Sequence, residues 1–186
     1  MALSKPTNIL LQLTAAYFER LYTSPLKTKA ITSCLLGAFG NLLSQKISGA
    51  RRINEDSLLA FALFGLIFGG PVPHYFYTYL QPFVRNPVTF LLIERCLYTP
   101  LFQALALYML ALLEGKSYEE SYKQLKRLYW PVLTANLKYL TLAQYINIKF
   151  VPPVLRVLTV NLIGFLWSIY IAQQRAKAAK GKTIKK

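Results

Sequence analysis

Four apolar stretches constrain this chain more than any other feature, over about residues 28–48, 57–80, 88–113 and 154–173. Each approaches the roughly 20 residues that a helix needs to cross a hydrocarbon layer of about 30 Å. A backbone in lipid must satisfy its own N–H and C=O groups, so stretches of this length fold as helices there. The resulting expectation is all-α: an integral membrane helical bundle of four transmembrane helices with amphipathic helices beside them. Composition agrees, because 54% of the 186 residues are hydrophobic, more than a soluble domain of this size usually carries.

The spans belong to a single membrane domain over residues 1–173, followed by a basic flexible tail over 174–186. Residues 1–26 read as an amphipathic segment at the interface, because Pro6, Glu19 and Arg20 fit a cleaved signal poorly. Pro71 and Pro73 interrupt the second stretch without ending its hydrophobicity, and the third carries Glu94, Arg95 and Pro100. Between the third and fourth stretches, residues 117–150 read as an amphipathic, partly buried helix. Ser117 and Glu120 form a capping box at its start. Tyr118, Tyr122, Leu125 and Tyr129 recur there at helical spacing, opposite Glu119, Lys123, Lys126 and Arg127. Residues 130–150 are a candidate fifth crossing, too rich in Asn136, Lys138, Gln144, Asn147 and Lys149 to be surrounded by lipid.

Only seven acids face 22 Lys and Arg, for a net charge of +15. These cations gather at the ends of apolar stretches and in the tail "RAKAAKGKTIKK", a placement that suits anionic membrane lipids and not nucleic acid. Positive charge is divided so evenly between the two sides that it favours cytosolic termini only slightly. Cys34 and Cys96 lie in different apolar segments, and His74 is the one histidine. No disulfide framework, metal site, nucleophile motif or cofactor site is expected from this set, and the chain does not read as an enzyme.

The polar residues inside apolar stretches are the candidates for function. Asn41 and Gln45, one turn apart, face protein or water, either for interhelical hydrogen bonding or along an aqueous path. Glu94 and Arg95 point about 100° apart on an α-helix, so each is expected to need its own partner or a shared network in place of a mutual bridge. Gln144, Asn147 and Arg156 complete the candidate polar network, with Arg156 either anchoring the last span or reaching Glu94. Packing signals run beside them. Gly65 and Gly69 form a Gly-x-x-x-Gly pair, with small-residue ladders at Ser33, Gly37 and Asn41 and at Gly164, Ser168 and Ala172. Gly70, Pro71 and Pro73 read as a kink, and His74 as a structural hydrogen-bonding group where the helix restarts. The aromatics Tyr75, Phe76, Tyr77 and Tyr79 around it suit the bilayer interface.

The blocks "SPLKTKAITSCLLGAFGNLLSQ", "GGPVPHYFYTYL", "ERCLYTPLF", "LLEGK", "WPVL", "QYINIKFVPPVLRV" and "LWSIYIA" occur in an order that resembles the family of small four-span peroxisomal and mitochondrial inner-membrane proteins. The resemblance runs from about Tyr17 to Ala172 and identifies Gly70, Pro71 and His74 with the family's turn in the second membrane helix. "GNLLSQ" is similar to the peroxisomal, channel-forming branch. This chain has Asn41 where many relatives carry aspartate, Glu94-Arg95 where many carry Asp-Gln, and Ser168 where asparagine is common. The resemblance implies a homo-oligomeric channel for small metabolites in the peroxisomal membrane, inserted with a membrane-protein import receptor. The alternatives are a mitochondrial inner-membrane relative or a non-conducting scaffold that binds lipid or partners through its basic tail.

Overall fold

The computed structural model describes residues 6–80, 82–84, 86–150, 162–175 and 177. Helices begin and end where local chemistry demands. Helix α1 spans Pro6–Thr23 and α2 spans Pro25–Ile47; Ser24 breaks the chain between them, and Pro25 supplies the fixed φ that suits a first helical turn. Helix α3 covers Glu55–Leu80 and α4 covers Pro87–Leu113. Asn54 caps α3 by accepting from the Ser57 N–H, with Glu55 and Asp56 in the first turn where the helix dipole favours anions. Asn86 caps α4 in the same way through the Val88 N–H. Helix α5 runs through residues 118–150 behind the Ser117 cap, whose side chain accepts from the Glu120 N–H at 3.3 Å, as the capping box predicts. Helix α6 covers residues 162–175. Gly49 (φ +71°) and Gly115 (φ +78°) close α2 and α4 in left-handed turns. The Ala50 and Lys116 N–H groups there return to the Gln45 and Ala111 carbonyls, which satisfies otherwise orphaned acceptors.

The described residues are helical and contain no strand. Helices α3 and α4, at 26 and 27 residues, are long and apolar enough to cross a membrane. The first expected span lies within α2, where Asn41, Ser44, Gln45 and three lysines dilute the apolar run. The fourth expected span falls partly on residues 151–161, outside the described residues; its remainder is α6. Large apolar side chains nonetheless point outward from four helices, including Leu35 and Phe39 of α2, Leu59 and Ile67 of α3, Leu92 and Leu101 of α4 and Leu162 and Leu166 of α6. Such a belt suits lipid and is a liability in water.

Three helices contain a π-turn: Gly65–Gly69 in α3, Glu94–Tyr98 in α4 and Asn136–Leu140 in α5. Prolines explain two of them. Pro71 and Pro100 follow closely, and a proline ring collides with the carbonyl four residues earlier, here Ile67 and Cys96 inside the π-turns. Widening the helix relieves that clash. Helix α3 therefore does not restart at His74 as expected: it passes through Gly70, whose N–H bonds Gly65 O at 3.0 Å, into Pro71–Leu80.

The π-turn also changes which glycines matter. Helices α2 and α3 form an antiparallel pair in which Gly65 lies against Ser33, Gly37 against Phe61 and Gly70 against Ala30. A Cβ on Gly70 would stand 2.5 Å from Ala30 Cα, whereas one on Gly69 would meet nothing closer than 3.6 Å. The contact pair is thus Gly65 and Gly70, not Gly65 and Gly69, because a wider turn brings residues five apart to one face. The Ser33, Gly37 and Asn41 ladder is the matching stripe on α2. Of the third ladder, Ser168 packs on Gly40 and Ala172 is buried, but Gly164 has open space.

The apolar core joins Phe61 of α3, Leu107 and Leu110 of α4, Leu128 and Val132 of α5, and Ile171 and Ala172 of α6. On α5 the buried stripe is Ser121, Gln124, Leu128 and Val132. Tyr118 and Tyr122 of the expected stripe point outward instead, while Leu125 and Tyr129 pack beside the core. Gln124 on that stripe accepts from Lys116 Nζ of the α4–α5 turn at 2.9 Å.

Candidate functional site

Two polar clusters flank this core. The inner one starts from Glu94 and Arg95, at the opening of the α4 π-turn, with only 5% and 8% of their surfaces exposed. Contrary to the expectation from α-helical geometry, they bridge each other directly. Arg95 Nε and Nη2 donate to the two Glu94 oxygens at 2.6 and 2.7 Å. Successive residues diverge less in the wider π-turn than in an α-helix, and the guanidinium fork meets both carboxylate oxygens. Tyr77 Oη of α3 donates to Glu94 Oε1 at 3.2 Å. Arg95 Nη1 donates to Asn136 Oδ1 at 3.2 Å, and Asn136 Nδ2 reaches Gln103 Oε1 at 3.4 Å. Three helices thus share one ion pair. A shared network surrounds this mutual bridge, with Asn136 at the π-turn of α5 as its third anchor. Two buried groups beside it, Tyr98 Oη and Gln103 Nε2, have no hydrogen-bond partner among the described residues.

Aromatic rings wall this cluster. Phe76 stacks on Tyr98 with centroids 4.1 Å apart, Tyr77 on Phe90 at 5.6 Å, and Tyr98 on Phe102 at 5.3 Å. The aromatics after His74 therefore divide by helix face: Phe76 and Tyr77 pack on α4, while Tyr75 and Tyr79 are exposed. His74 itself takes a structural role, with its Nδ1 3.2 Å from Lys29 Nζ of α2. A neutral imidazole can accept that bond.

The outer cluster sits where α2, α4 and α6 end and α3 and α5 begin. Asn41 Nδ2 donates to Ser57 Oγ at 3.0 Å, and Ser57 Oγ donates to Glu114 Oε1 at 2.9 Å. Arg175 of α6 grips both Glu114 oxygens at 2.8 and 2.7 Å, and Lys116 Nζ joins Glu114 to Gln124 of α5. Gln45 holds the α2–α3 turn shut, donating to Asn54 O at 3.0 Å and accepting from its N–H at 2.6 Å. Asn41 and Gln45 thus serve interhelical and loop hydrogen bonding. Burial pulls the Glu114 carboxyl upward, but Arg175, Lys116 and Ser57 outweigh it and hold the carboxyl below the usual carboxylate range.

Glu114 and Arg175 are the residues that sequence reasoning missed. Arg175 was expected in the flexible tail, yet it is only 5% exposed. One signal was available: an acid at the C-terminal end of an apolar helix opposes the helix dipole and needs cations nearby. For the inner cluster, Arg95, Thr99 and Gln103 form a polar stripe at four-residue spacing along an apolar helix, and all three are buried. Gln144 is half-buried and joins neither cluster's hydrogen bonds; the side chain of Asn147 and the whole of Arg156 lie outside the described residues. No group of three or more His, Cys, Asp or Glu side chains among the described residues could hold a metal.

Residues 111–172, from the end of α4 into α6, match the profile of the Mpv17 / PMP22 family. Peroxisomal membrane protein 2 of Bos taurus is 32% identical over 84% of this chain and 86% of its own length. The chain belongs to the Mpv17 / PMP22 family. PXMP2/4 family protein 3 of Dictyostelium discoideum is 33% identical, over 92% of this chain and 96% of that relative. Mitochondrial inner membrane protein Mpv17 of Caenorhabditis elegans is 27% identical over 83% of this chain and 88% of its own. No solved structure matches. Peroxisomal membrane protein 2 and mitochondrial inner membrane protein Mpv17 are named for membranes of two organelles, and the peroxisomal reading of this chain is supported at least as well as the mitochondrial one.

Proposed function

We propose that this chain is a four-span channel of the peroxisomal membrane that passes small water-soluble metabolites, working as a homo-oligomer inserted with a membrane-protein import receptor. One observation carries the conducting role. Tyr98 Oη and Gln103 Nε2 are buried without partners among the described residues beside the Glu94–Arg95 pair, and buried donors of this kind call for water or a polar solute. Glu94 and Glu114 stand 20 residues apart in the sequence, or about 30 Å along a helix, close to the thickness of a hydrocarbon core. In this reading the two polar clusters meet solutes near opposite membrane faces. Between them lie Leu107, Leu110 and Val132 of the apolar core, which in this reading are the constriction that closes the path by excluding water.

The test is solute efflux from liposomes holding the purified chain, with neutral and charged solutes of graded size. A size cutoff absent from empty vesicles is expected, with a changed charge preference in the Glu94→Gln/Arg95→Gln double variant, which strands neither charge. Tight vesicles around folded, inserted protein would remove the channel and leave both clusters as helix ties in a lipid-binding or partner-binding scaffold. Imaging of the tagged chain against peroxisomal and mitochondrial markers decides the organelle.

A further inference from the structure

An open groove of about 540 Å³ runs between α2 and α6, walled by Leu36, Phe39, Leu43, Leu162 and Phe165 and ending at Lys46. We propose that this groove holds an acyl chain of one anionic phospholipid whose phosphate-bearing headgroup rests on Lys46. The inference needs the chain to sit in a membrane but does not depend on conduction.

Length and charge select this occupant. From Leu36 to Lys46 is ten residues of α2, about 15 Å at the helical rise and about half of a 30 Å hydrocarbon core. The groove thus has the depth of a single leaflet. Its cationic end lies at the face of the bundle where Gln45 holds Asn54 and Arg175 holds Glu114, so headgroup and charge meet at one level. Lys46 is exposed there and has no ion-pair partner among the described residues, and Arg51, Arg52 and Lys177 are exposed near the same face. Lys116 and Arg175, the cations of the Glu114 cluster, are each already paired with its carboxylate. A second copy of this chain is a poorer occupant, because it would bring another net charge of +15 to a cationic rim.

The experiment is native mass spectrometry of the full chain released from nanodiscs that contain phosphatidylglycerol and phosphatidylcholine with identical acyl chains. One retained phosphatidylglycerol per chain is expected, in preference to phosphatidylcholine. Lys46→Gln should lower that adduct about fivefold, corresponding to about 1 kcal/mol for one cation at an anionic headgroup. Lys46→Arg should preserve it, and Leu36→Trp, which fills the groove, should lower both lipids. Lys123→Gln removes an exposed lysine of the Lys123–Glu119 pair on α5 and should change nothing. Circular dichroism and size-exclusion profiles identify variants that keep the fold. Equal retention of both lipids, an equal loss in Lys123→Gln, or a lipid-free assembly that closes the groove with a second copy would each overturn the proposal.

Discussion

At the scale of single residues, glycine and charge positions make sharp and opposite demands. A Cβ at Gly65 or Gly70 would strike backbone of α2, while one at Gly69 finds ordinary contact distance. Gly70→Ala should therefore destabilise by about 1–3 kcal/mol, as overpacking usually does, and Gly69→Ala should be neutral. Denaturation in detergent micelles reads the difference, and equal losses at both sites would refute the π-turn register. The Glu94–Arg95 pair makes a second demand. Two buried charges cost several kcal/mol each to desolvate, so removing one partner costs about 3–5 kcal/mol by stranding the other. Glu94→Gln and Arg95→Gln should each be severe, and the double variant should be milder than their sum. A double-mutant cycle in the same micelles measures that coupling.

Among the helices, the π-turns decide which faces meet. Each is one residue more than a regular helix needs, so removing an outward residue from it should restore α-helical geometry while keeping both flanks in register. Deleting Ile67, half exposed inside Gly65–Gly69, together with Pro71→Ala to remove the ring whose clash the wide turn relieves, would leave Gly65 and Gly70 four apart and still on one face. Deleting Leu59, equally outward but in a regular α segment, would rotate everything before it by about 100° relative to everything after it. The first variant is expected to fold and the second to aggregate, as judged by monodisperse yield on size exclusion. The same logic explains the aromatic run after His74. A helical turn carries Phe76 and Tyr77 inward against α4 and leaves Tyr75 and Tyr79 for the interface.

For the whole molecule, the Glu114 cluster ties five helices at one end of the bundle, and its protonation should loosen that end. Glu114 titrates below the usual carboxylate range when folded, so the unfolded chain binds the proton more readily. Its contribution is complete above the ordinary carboxylate pKa and is lost as pH falls through the lowered folded value. Melting temperature in micelles should fall on acidification across that window, and Glu114→Gln should be less stable at neutral pH with a flatter acid limb. An unchanged acid limb in that variant would show that other groups govern it. The amino-acid sequence alone determined the all-helical fold, the long apolar runs of α3 and α4, the Ser117 cap and the small-residue ladder of α2, because these follow from composition and local periodicity, and the order of its sequence blocks carried the family resemblance. Only the tertiary structure decided the rest. A 3.6-residue period selects Gly69 and separates Glu94 from Arg95, whereas proline-driven π-turns select Gly70 and join the pair. Asn136 meets Arg95 from 41 residues away, and Arg175 leaves the expected tail to hold Glu114 from 61 residues away. No local pattern records such pairings, since they depend on which helix faces burial turns toward one another.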